Sequence, residues 1–305
     1  MKEDQYSEWS WPVFVALVAV QMWAAHAFAF FIHEYAHSFT AWLLGWKGNP
    51  LALNYAHPTL LVLLTQLGIS ENVDYAPIFA SGHGRQAAFI AAAGGVIGNA
   101  LITFPLSRWG YAIAKRRGLR GWAMFAYWVC VASVGNFIDY VPVRTFTNEG
   151  DMGTLERGLG WTPWTVLALV GIPTTIALVY FLLRIEPSTL QWLFPYSFPR
   201  RIVMVALTAF SLFCFYGAAG WSGGGPTSHM MSLVSVCAVF PLTALVGGVL
   251  VRRHSVSGSA LSPGASEKAT HTGTGGRGSG LLSPQSLKFR QTTCFRKHLL
   301  GGGDE

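Results

Sequence analysis

The segment that decides the fold is WSWPVFVALVAVQMWAAHAFAFFIHEYAHSFTAWLL, from Trp9 to Leu44. Its apolar stretch up to His33 carries no Asp, Glu, Lys or Arg, and it exceeds the roughly 20 residues that a helix needs to cross a bilayer. Three ionisable residues then come close together, namely His33, Glu34 and His37. Ionisable groups in a membrane segment cost free energy and usually mark function. The segment therefore predicts a membrane-spanning helix with a functional site near its far end.

The ionisable residues form an H-E-x-x-H sequence, whose spacing suits metal chemistry. On a helix, positions i and i+4 share one face, so the imidazoles of His33 and His37 can both reach one Zn²⁺ ion. Glu34, beside the first of them, can accept a proton from the attacking water as a general base. The alternative is that both histidines only bond to neighbouring helices. Three ionisable groups in a membrane segment cost free energy, and these three have the spacing of metal ligands. Both facts favour the metal site.

Three other histidines lie near this motif in the sequence. His26 is two helical turns before His33 on the same face, and we expect it to line a cavity or contact a helix rather than share the metal. His57 and His83 follow in the connecting region, and the sequence does not assign either of them to the site.

The composition of the whole chain agrees with a membrane protein. Of 305 residues, 51% are hydrophobic and only 11% are charged, with a mean hydropathy of +0.38. Soluble domains carry about 25% charged residues, and disordered chains carry more. The net charge of +7 comes from short Lys/Arg clusters between apolar runs, which indicates topology rather than binding to nucleic acid. The four cysteines lack metal-ligand spacing and argue against a disulfide framework.

Apolar runs long enough to cross a membrane predict six spans. They lie at residues 9–44, 86–107, 121–138, 158–183 and 202–251, the last divided in two by a Gly-rich break at 220–226. Residues 51–67 are apolar but short, and we expect a re-entrant or interfacial segment there. Basic clusters follow the second, fourth and sixth spans, which puts them on one side and both termini in the cytoplasm. The predicted fold class is an all-α polytopic membrane protein.

An H-E-x-x-H sequence inside an apolar helix resembles the site-2 protease family of intramembrane zinc metalloproteases. The resemblance implies a three-helix catalytic core whose second helix carries a motif of the type A-G-P-x-x-N. Here that element reads AGGVIGN from Ala93 to Asn99, with Gly95 in place of the usual Pro. The resemblance implies that Asn99 faces the catalytic centre and holds a substrate backbone. Close helix packing at the glycines is a compatible alternative.

The third element of the family departs from its usual form in this chain. Asn136 and Pro142 are present, but the expected Asp-Gly, whose Asp is the third zinc ligand, does not follow at the usual spacing. Asp139 and Asp151 compete for that role, and we favour Asp151 because it resembles the family's Asp-Gly turn displaced by a longer loop. Asn136 is implied to lie near the metal, where its amide could donate to the developing oxyanion. Its alternative role is a helix C-cap.

The proposed ligands meet only if residues 51–67 do not cross the membrane, because spans one and three then run parallel. The resemblance also implies a re-entrant or edge-strand structure there that pairs an extended substrate by β-augmentation. The charge rule puts the metal end of the first span outside, whereas many family members work nearer the cytoplasm, and the sequence leaves this conflict open.

Three regions follow: a catalytic transmembrane core at 1–160, additional spans at 161–254, and a disordered low-complexity tail at 255–305. We expect Zn²⁺-dependent hydrolysis of peptide bonds in or near the membrane, with a transmembrane protein or peptide as substrate. The expected surroundings are the lipid bilayer of a bacterial cell membrane, with no nucleic acid partner. The alternative is a non-proteolytic membrane metal-binding protein, either a transporter or a silent scaffold.

Overall fold

The computed structural model describes residues 10–221 and 224–259, and this part of the chain is helical with no β-strands. Six helices are long and apolar enough to cross a membrane, which confirms the predicted all-α polytopic fold. In chain order these spans are Trp11–Leu43, Gly84–Arg116, Arg120–Val143, Pro163–Leu193, Phe198–Trp221 and Gly225–Arg252.

The first span is a continuous α-helix that runs past the H-E-x-x-H motif. Pro12 lies in its first turn, where a missing backbone N–H costs nothing. After Leu44, Gly45 adopts a φ of +81°, a left-handed conformation that glycine tolerates and that ends the helix. The motif therefore lies in the last three turns of a regular helix, which is the condition for His33 and His37 to share a face.

The second and third spans change helical form close to the motif residues. The second is α-helical over Gly84–Ala93, π-helical over Gly94–Thr103 and α-helical again over Phe104–Arg116. The third is α-helical over Arg120–Ile138 and continues as a π-turn over Asp139–Val143, within which Val141 has extended dihedrals (φ −137°, ψ 113°). This irregular end directs the chain into the loop that precedes the helix Gly150–Leu159. Local π-helix in a span is often found at functional sites.

The third span forms the centre of the bundle. Most of its apolar window is buried, and it packs against the first, second and fifth spans. Its Tyr127 and Trp128 side chains are almost completely buried in the main hydrophobic core, together with Phe14 of the first span and Phe181 of the fourth. The third span therefore packs against helices of both predicted regions, the catalytic core at 1–160 and the additional spans at 161–254.

The fourth span continues beyond its apolar run, which ends at residue 183. It extends through Glu186 to Leu193, and the Glu186 side chain is buried. The hydroxyl of Tyr127 lies 3.3 Å from Oε1 of Glu186 and 2.6 Å from Oγ1 of Thr208. These polar groups form hydrogen bonds with one another, so the helix can contain a buried acid. A prediction from charged residues alone ends the span before this point.

The region between the first two spans does not cross the membrane, as predicted. It contains only two short helices, Leu60–Thr65 and Ala76–Ala80. The expected edge strand is reduced, among the described residues, to one antiparallel bridge between Asn54 and Ser70. Lys47 ties the region together by donating from Nζ to backbone oxygens of Ala52, Glu71 and Asn72.

The remaining helices complete the connections. Gly150–Leu159 is a short helix before the fourth span. The fifth and sixth spans also contain irregular turns, at Ser211–Trp221 and Ser235–Val239. The last helix runs over Phe240–Ser259, so it extends a few residues into the region predicted to be a disordered tail. The rest of that tail lies outside the described residues.

Candidate metal centre

The two histidines of the motif lie side by side in the interior of the bundle. Both imidazoles are almost completely buried, and their Nε2 atoms are 3.0 Å apart. Gly94 of the second span lies directly against both rings. The predicted pairing of His33 and His37 on one helical face is therefore present.

Asp151 approaches the same two nitrogen atoms from the helix Gly150–Leu159. Its Oδ2 lies 3.3 Å from Nε2 of His37 and 3.6 Å from Nε2 of His33. Burial would raise the pKa of Asp151, but the adjacent imidazoles of His37 and His33 outweigh it and hold that pKa well below its usual range. This carboxylate is therefore ionised when a proton lies between it and the imidazoles, and a metal ion that replaced the proton would meet the ionised form that a ligand requires. His33, His37 and Asp151 form a group that could hold a metal ion.

Hydrogen bonds on the far side of each imidazole ring suit metal binding. Nδ1 of His37 lies 2.7 Å from the backbone oxygen of Ile90, which can only accept, so Nδ1 carries the proton and Nε2 presents its lone pair. Nδ1 of His33 lies 3.1 Å from the side-chain amide of Asn99. The atom beside Nδ1 is the amide nitrogen Nδ2 of Asn99, and the hydroxyl of Tyr140 lies 2.9 Å from Nε2 of the same ring. Rotation of the amide by 180° would let its oxygen accept the Nδ1 proton and leave the Nε2 lone pair for a metal ion. Partners of this kind orient metal-binding histidines.

With both Nδ1 atoms protonated, the Nε2 lone pairs of His33 and His37 face the carboxylate of Asp151. This arrangement shows whether a cation fits among them. Two unprotonated nitrogens at 3.0 Å and an ionised oxygen beside them repel one another unless a proton or a metal ion lies among them. The three ligand atoms all lie within 4.8 Å of one another. Two His nitrogens and one carboxylate oxygen are also a donor set of catalytic zinc sites, so the residues fit the predicted ion.

Gly94 closes one side of this group with its backbone. A β-carbon built at Gly94 would overlap Nε2 of both His33 and His37. Gly98, one turn later, lies equally close to the first span, because a β-carbon there would be 2.9 Å from the Cα of His33. Helix packing and the metal centre therefore depend on the same glycines, whereas Gly95 faces open space.

Glu34 lies in the same cavity as the metal-binding group but is not part of it. Its side chain is buried, and the backbone N–H of Glu71 donates to its carboxylate. The cavity has a volume of about 920 Å³, and its wall includes His33, Asp151 and the loop backbone from Leu67 to Glu71. A carboxylate in the cavity but outside the ligand set is the arrangement that a general base requires.

Asp139, the competing candidate, lies away from the histidine nitrogens. Its Oδ2 is 3.7 Å from Nη1 of Arg144, and the Arg144 guanidinium lies 5.2 Å from the centre of the Tyr140 ring. Asp139 is absent from the metal-binding group, whereas Asp151 belongs to it. The structure thus brings the favoured residue of the two to the histidines and gives Asp139 an ion pair instead.

Tyr140 is the main site residue that the sequence did not indicate. Its hydroxyl lies 2.9 Å from Nε2 of His33, and its ring stacks on that imidazole at 5.2 Å with an interplanar angle of 8°. The residue is next to Asp139 in the sequence, but no spacing rule points to it. The extended backbone of Val141 ends the regular helix directly after it.

The predicted asparagines take different positions. Asn99 is completely buried behind His33 and is not among the residues that line the cavity. Asn136 does line the cavity, and its Nδ2 donates to the backbone oxygen of Ala132 in its own helix. The helix continues beyond it, so Asn136 is not a C-cap. Substrate contact by either residue stays a prediction.

Of the three other histidines considered in the sequence, His26 lies where it was expected. His26 lines the cavity, where its Nδ1 is 2.7 Å from the hydroxyl of Tyr216 and its Nε2 is 3.2 Å from the backbone oxygen of Thr65. It therefore connects the first span to the fifth span and to the connecting region, outside the metal-binding group. His57 and His83 are exposed.

Comparison with known proteins gives no match: no family model, no curated protein and no solved structure is similar to this chain.

Proposed function

We propose that this chain is an intramembrane zinc metalloprotease that hydrolyses peptide bonds of transmembrane protein substrates, within or beside a bacterial cell membrane. The observation that carries the proposal is the position of Glu34, whose carboxylate shares one cavity with the group formed by His33, His37 and Asp151. A purely structural metal needs no adjacent base. The H-E-x-x-H motif together with Asp151 also supports the resemblance to the site-2 protease family.

Zinc is the ion that this donor set suits best. His33, His37 and Asp151 would hold it with two nitrogens and one oxygen, and catalytic zinc sites combine three such ligands with an open fourth position. When bound, zinc supplies the Lewis acidity that polarises a carbonyl group and makes water nucleophilic at neutral pH. The backbone oxygen of Ile90 and the amide of Asn99 hold the two rings in the binding orientation.

The chain's own residues then divide the proton transfers and the charge stabilisation. Glu34 accepts the proton of the attacking water and later donates it to the leaving amine. The Tyr140 hydroxyl, 2.9 Å from a ligand nitrogen, is close enough to the site to donate to the carbonyl oxygen as negative charge develops there. Asn136, also in the cavity wall, offers its amide as a second donor.

The cavity is large enough for a short extended peptide. Its volume of about 920 Å³ lies in the upper part of the range of about 300 to 1,000 Å³ seen for ligand sites. Part of its wall is the irregular backbone from Leu67 to Glu71, next to the bridge between Asn54 and Ser70. Backbone of this kind can pair with an extended substrate segment by β-augmentation.

The decisive experiment compares two Glu→Gln variants of the purified full chain, reconstituted with a model transmembrane peptide. We expect Glu34→Gln to keep its zinc and to lose cleavage, because it removes only the proton acceptor. Glu156→Gln, the same change outside the cavity, should cleave like the wild type. A wild type that binds zinc and cleaves no membrane peptide would support the alternative of a non-proteolytic metal-binding protein. Equal activity of Glu34→Gln and wild type would contradict the proposal.

A further inference from the structure

A second cavity, of about 520 Å³, lies at the end of the bundle where the second and fourth spans finish. It is separate from the metal centre, which lies where the second span begins. Its lining consists of Arg108, Tyr111, Ala112, Lys115, Arg116 and Trp192. Three of these six residues are Arg or Lys and none is Asp or Glu, so the lining itself carries a strong positive charge.

The cations of this cavity are held in place by its aromatic walls. The guanidinium of Arg108 lies 5.5 Å from the ring centre of Tyr111, and Nζ of Lys115 lies 5.9 Å from that of Trp192. The Tyr111 hydroxyl bonds in turn to the side chain of Thr189 on the fourth span. Contacts between cations and aromatic faces limit side-chain motion, so a ligand meets positive charges that are already positioned.

Among the described residues, no acidic side chain neutralises the positive charge of the cavity. Within residues 10–221 and 224–259, no carboxylate lies within 4.0 Å of Arg108, Lys115 or Arg116. Three neighbouring cations on a partly enclosed surface repel one another unless an anion lies among them. The cavity therefore has the charge of an anion site.

The depth of the cavity indicates where the anion comes from. It lies where the apolar part of the second span gives way to the basic run from Lys115 to Arg117. Trp109 and Trp122 near this level are 62% and 67% exposed, as is typical of tryptophan among lipid headgroups. Basic pockets between spans at this depth bind the headgroups of anionic lipids.

We propose that this cavity binds the phosphate group of an anionic phospholipid. The chemistry that it recognises is a phosphate ester with net negative charge and no cation in its own headgroup, which Arg108 and Arg116 can bind through their N–H groups while Lys115 adds a point charge. Free phosphate has the same charged group, but the depth of the site favours the lipid. The exposed apolar side chains of Leu101 and Leu106 on the same span leave room for acyl chains.

The test uses the full chain in a zwitterionic detergent, with fluorescent phosphatidylglycerol as the probe and phosphatidylcholine, which is zwitterionic with no net charge, as the comparison. Near a phosphate group each cation contributes about fivefold to affinity, so Arg108→Gln with Lys115→Gln should weaken phosphatidylglycerol binding about 30-fold. The matched control is Arg117→Gln with Arg184→Gln, two exposed cations outside the cavity. It removes the same charge and should bind like the wild type.

Two further arms keep the result interpretable. Arg108→Lys with Lys115→Arg retains the charge and should keep binding within about threefold, which separates lost charge from lost folding. Inorganic phosphate at millimolar concentration should not displace the lipid. The proposal is overturned if phosphatidylcholine binds as tightly as phosphatidylglycerol, if both double Gln variants lose binding equally, or if inorganic phosphate displaces the probe. The proposed protease activity is not involved in any of these outcomes.

Discussion

No side chain fits at Gly94, because Nε2 of His37 occupies the space that a β-carbon would fill. The glycine of the second span and the histidine of the first are 57 positions apart, since 94 − 37 = 57. Their contact brings the backbone of one helix against the ligand atoms of another. Close approach of this kind requires a residue without a side chain, so it relates the small-residue motif directly to the metal centre.

Gly94→Ala should abolish metal binding. The added methyl group would overlap both Nε2 atoms, so the imidazoles would have to move apart. We expect zinc content, measured by mass spectrometry of the purified chain, to fall from about one ion per chain to near zero. Gly95→Ala is the matched control, because a β-carbon there meets no atom within 4 Å. Equal zinc contents in the two variants would refute the packing argument.

Asp151→Asn should lose the metal, whereas Asp139→Asn should keep it. The Asp151 carboxylate faces the Nε2 atoms of both His33 and His37, and the Asp139 carboxylate faces Arg144. An amide is a much poorer zinc ligand than a carboxylate, so we expect affinity to fall at least about 100-fold in the first variant. Zinc titration with a competing chelator measures both. Loss of zinc from Asp139→Asn alone would reverse the assignment.

Tyr140→Phe should reduce the proposed cleavage while leaving zinc bound. The phenol contributes one hydrogen-bond donor near His33 but is not one of the three residues that could hold a metal ion. Removing one donor to a developing oxyanion lowers kcat about 100-fold in other hydrolases. Single-turnover cleavage of the model peptide gives the rate, and zinc content is the control. An unchanged rate would leave Tyr140 with only its stacking contact on His33.

Glu156→Gln should stabilise the protein more at pH 8 than at pH 5. Oε1 of Glu156 is buried without a hydrogen-bond partner among the described residues, and burial raises the pKa of this carboxyl to about 7. Because the pKa is raised in the folded state, the neutral acid favours folding at low pH, and this contribution is lost as the pH rises through about 7. The amide does not ionise.

The measurement for Glu156→Gln is the melting temperature at both pH values. At pH 8 the variant should melt about 2 to 4 °C above the wild type, which corresponds to about 1 kcal/mol for a chain of this size. At pH 5 the difference should be smaller. A difference that is the same at both pH values would mean that Glu156 is not forced into its neutral form by burial.

Much of the fold was predictable because membrane helices are encoded by local composition. The apolar runs predicted all six spans, and the short segment at 51–67 was correctly excluded. The errors lie at polar positions that tertiary contacts satisfy. The fourth apolar run ended at residue 183, but the helix continues through Glu186, whose burial Tyr127 and Thr208 compensate from other helices. Hydropathy along one segment contains no information about such partners.

The candidate site also has one part that the sequence predicted and another that depends on tertiary contacts. The sequence by itself determined the pairing of His33 with His37, because both lie on one regular helix whose period sets their separation. Only the tertiary structure decided that Asp151 rather than Asp139 faces them, and that Tyr140 and Gly94 adjoin them. These contacts join residues more than 50 positions apart and depend on helix packing and on the extended backbone at Val141, where helical periodicity ends.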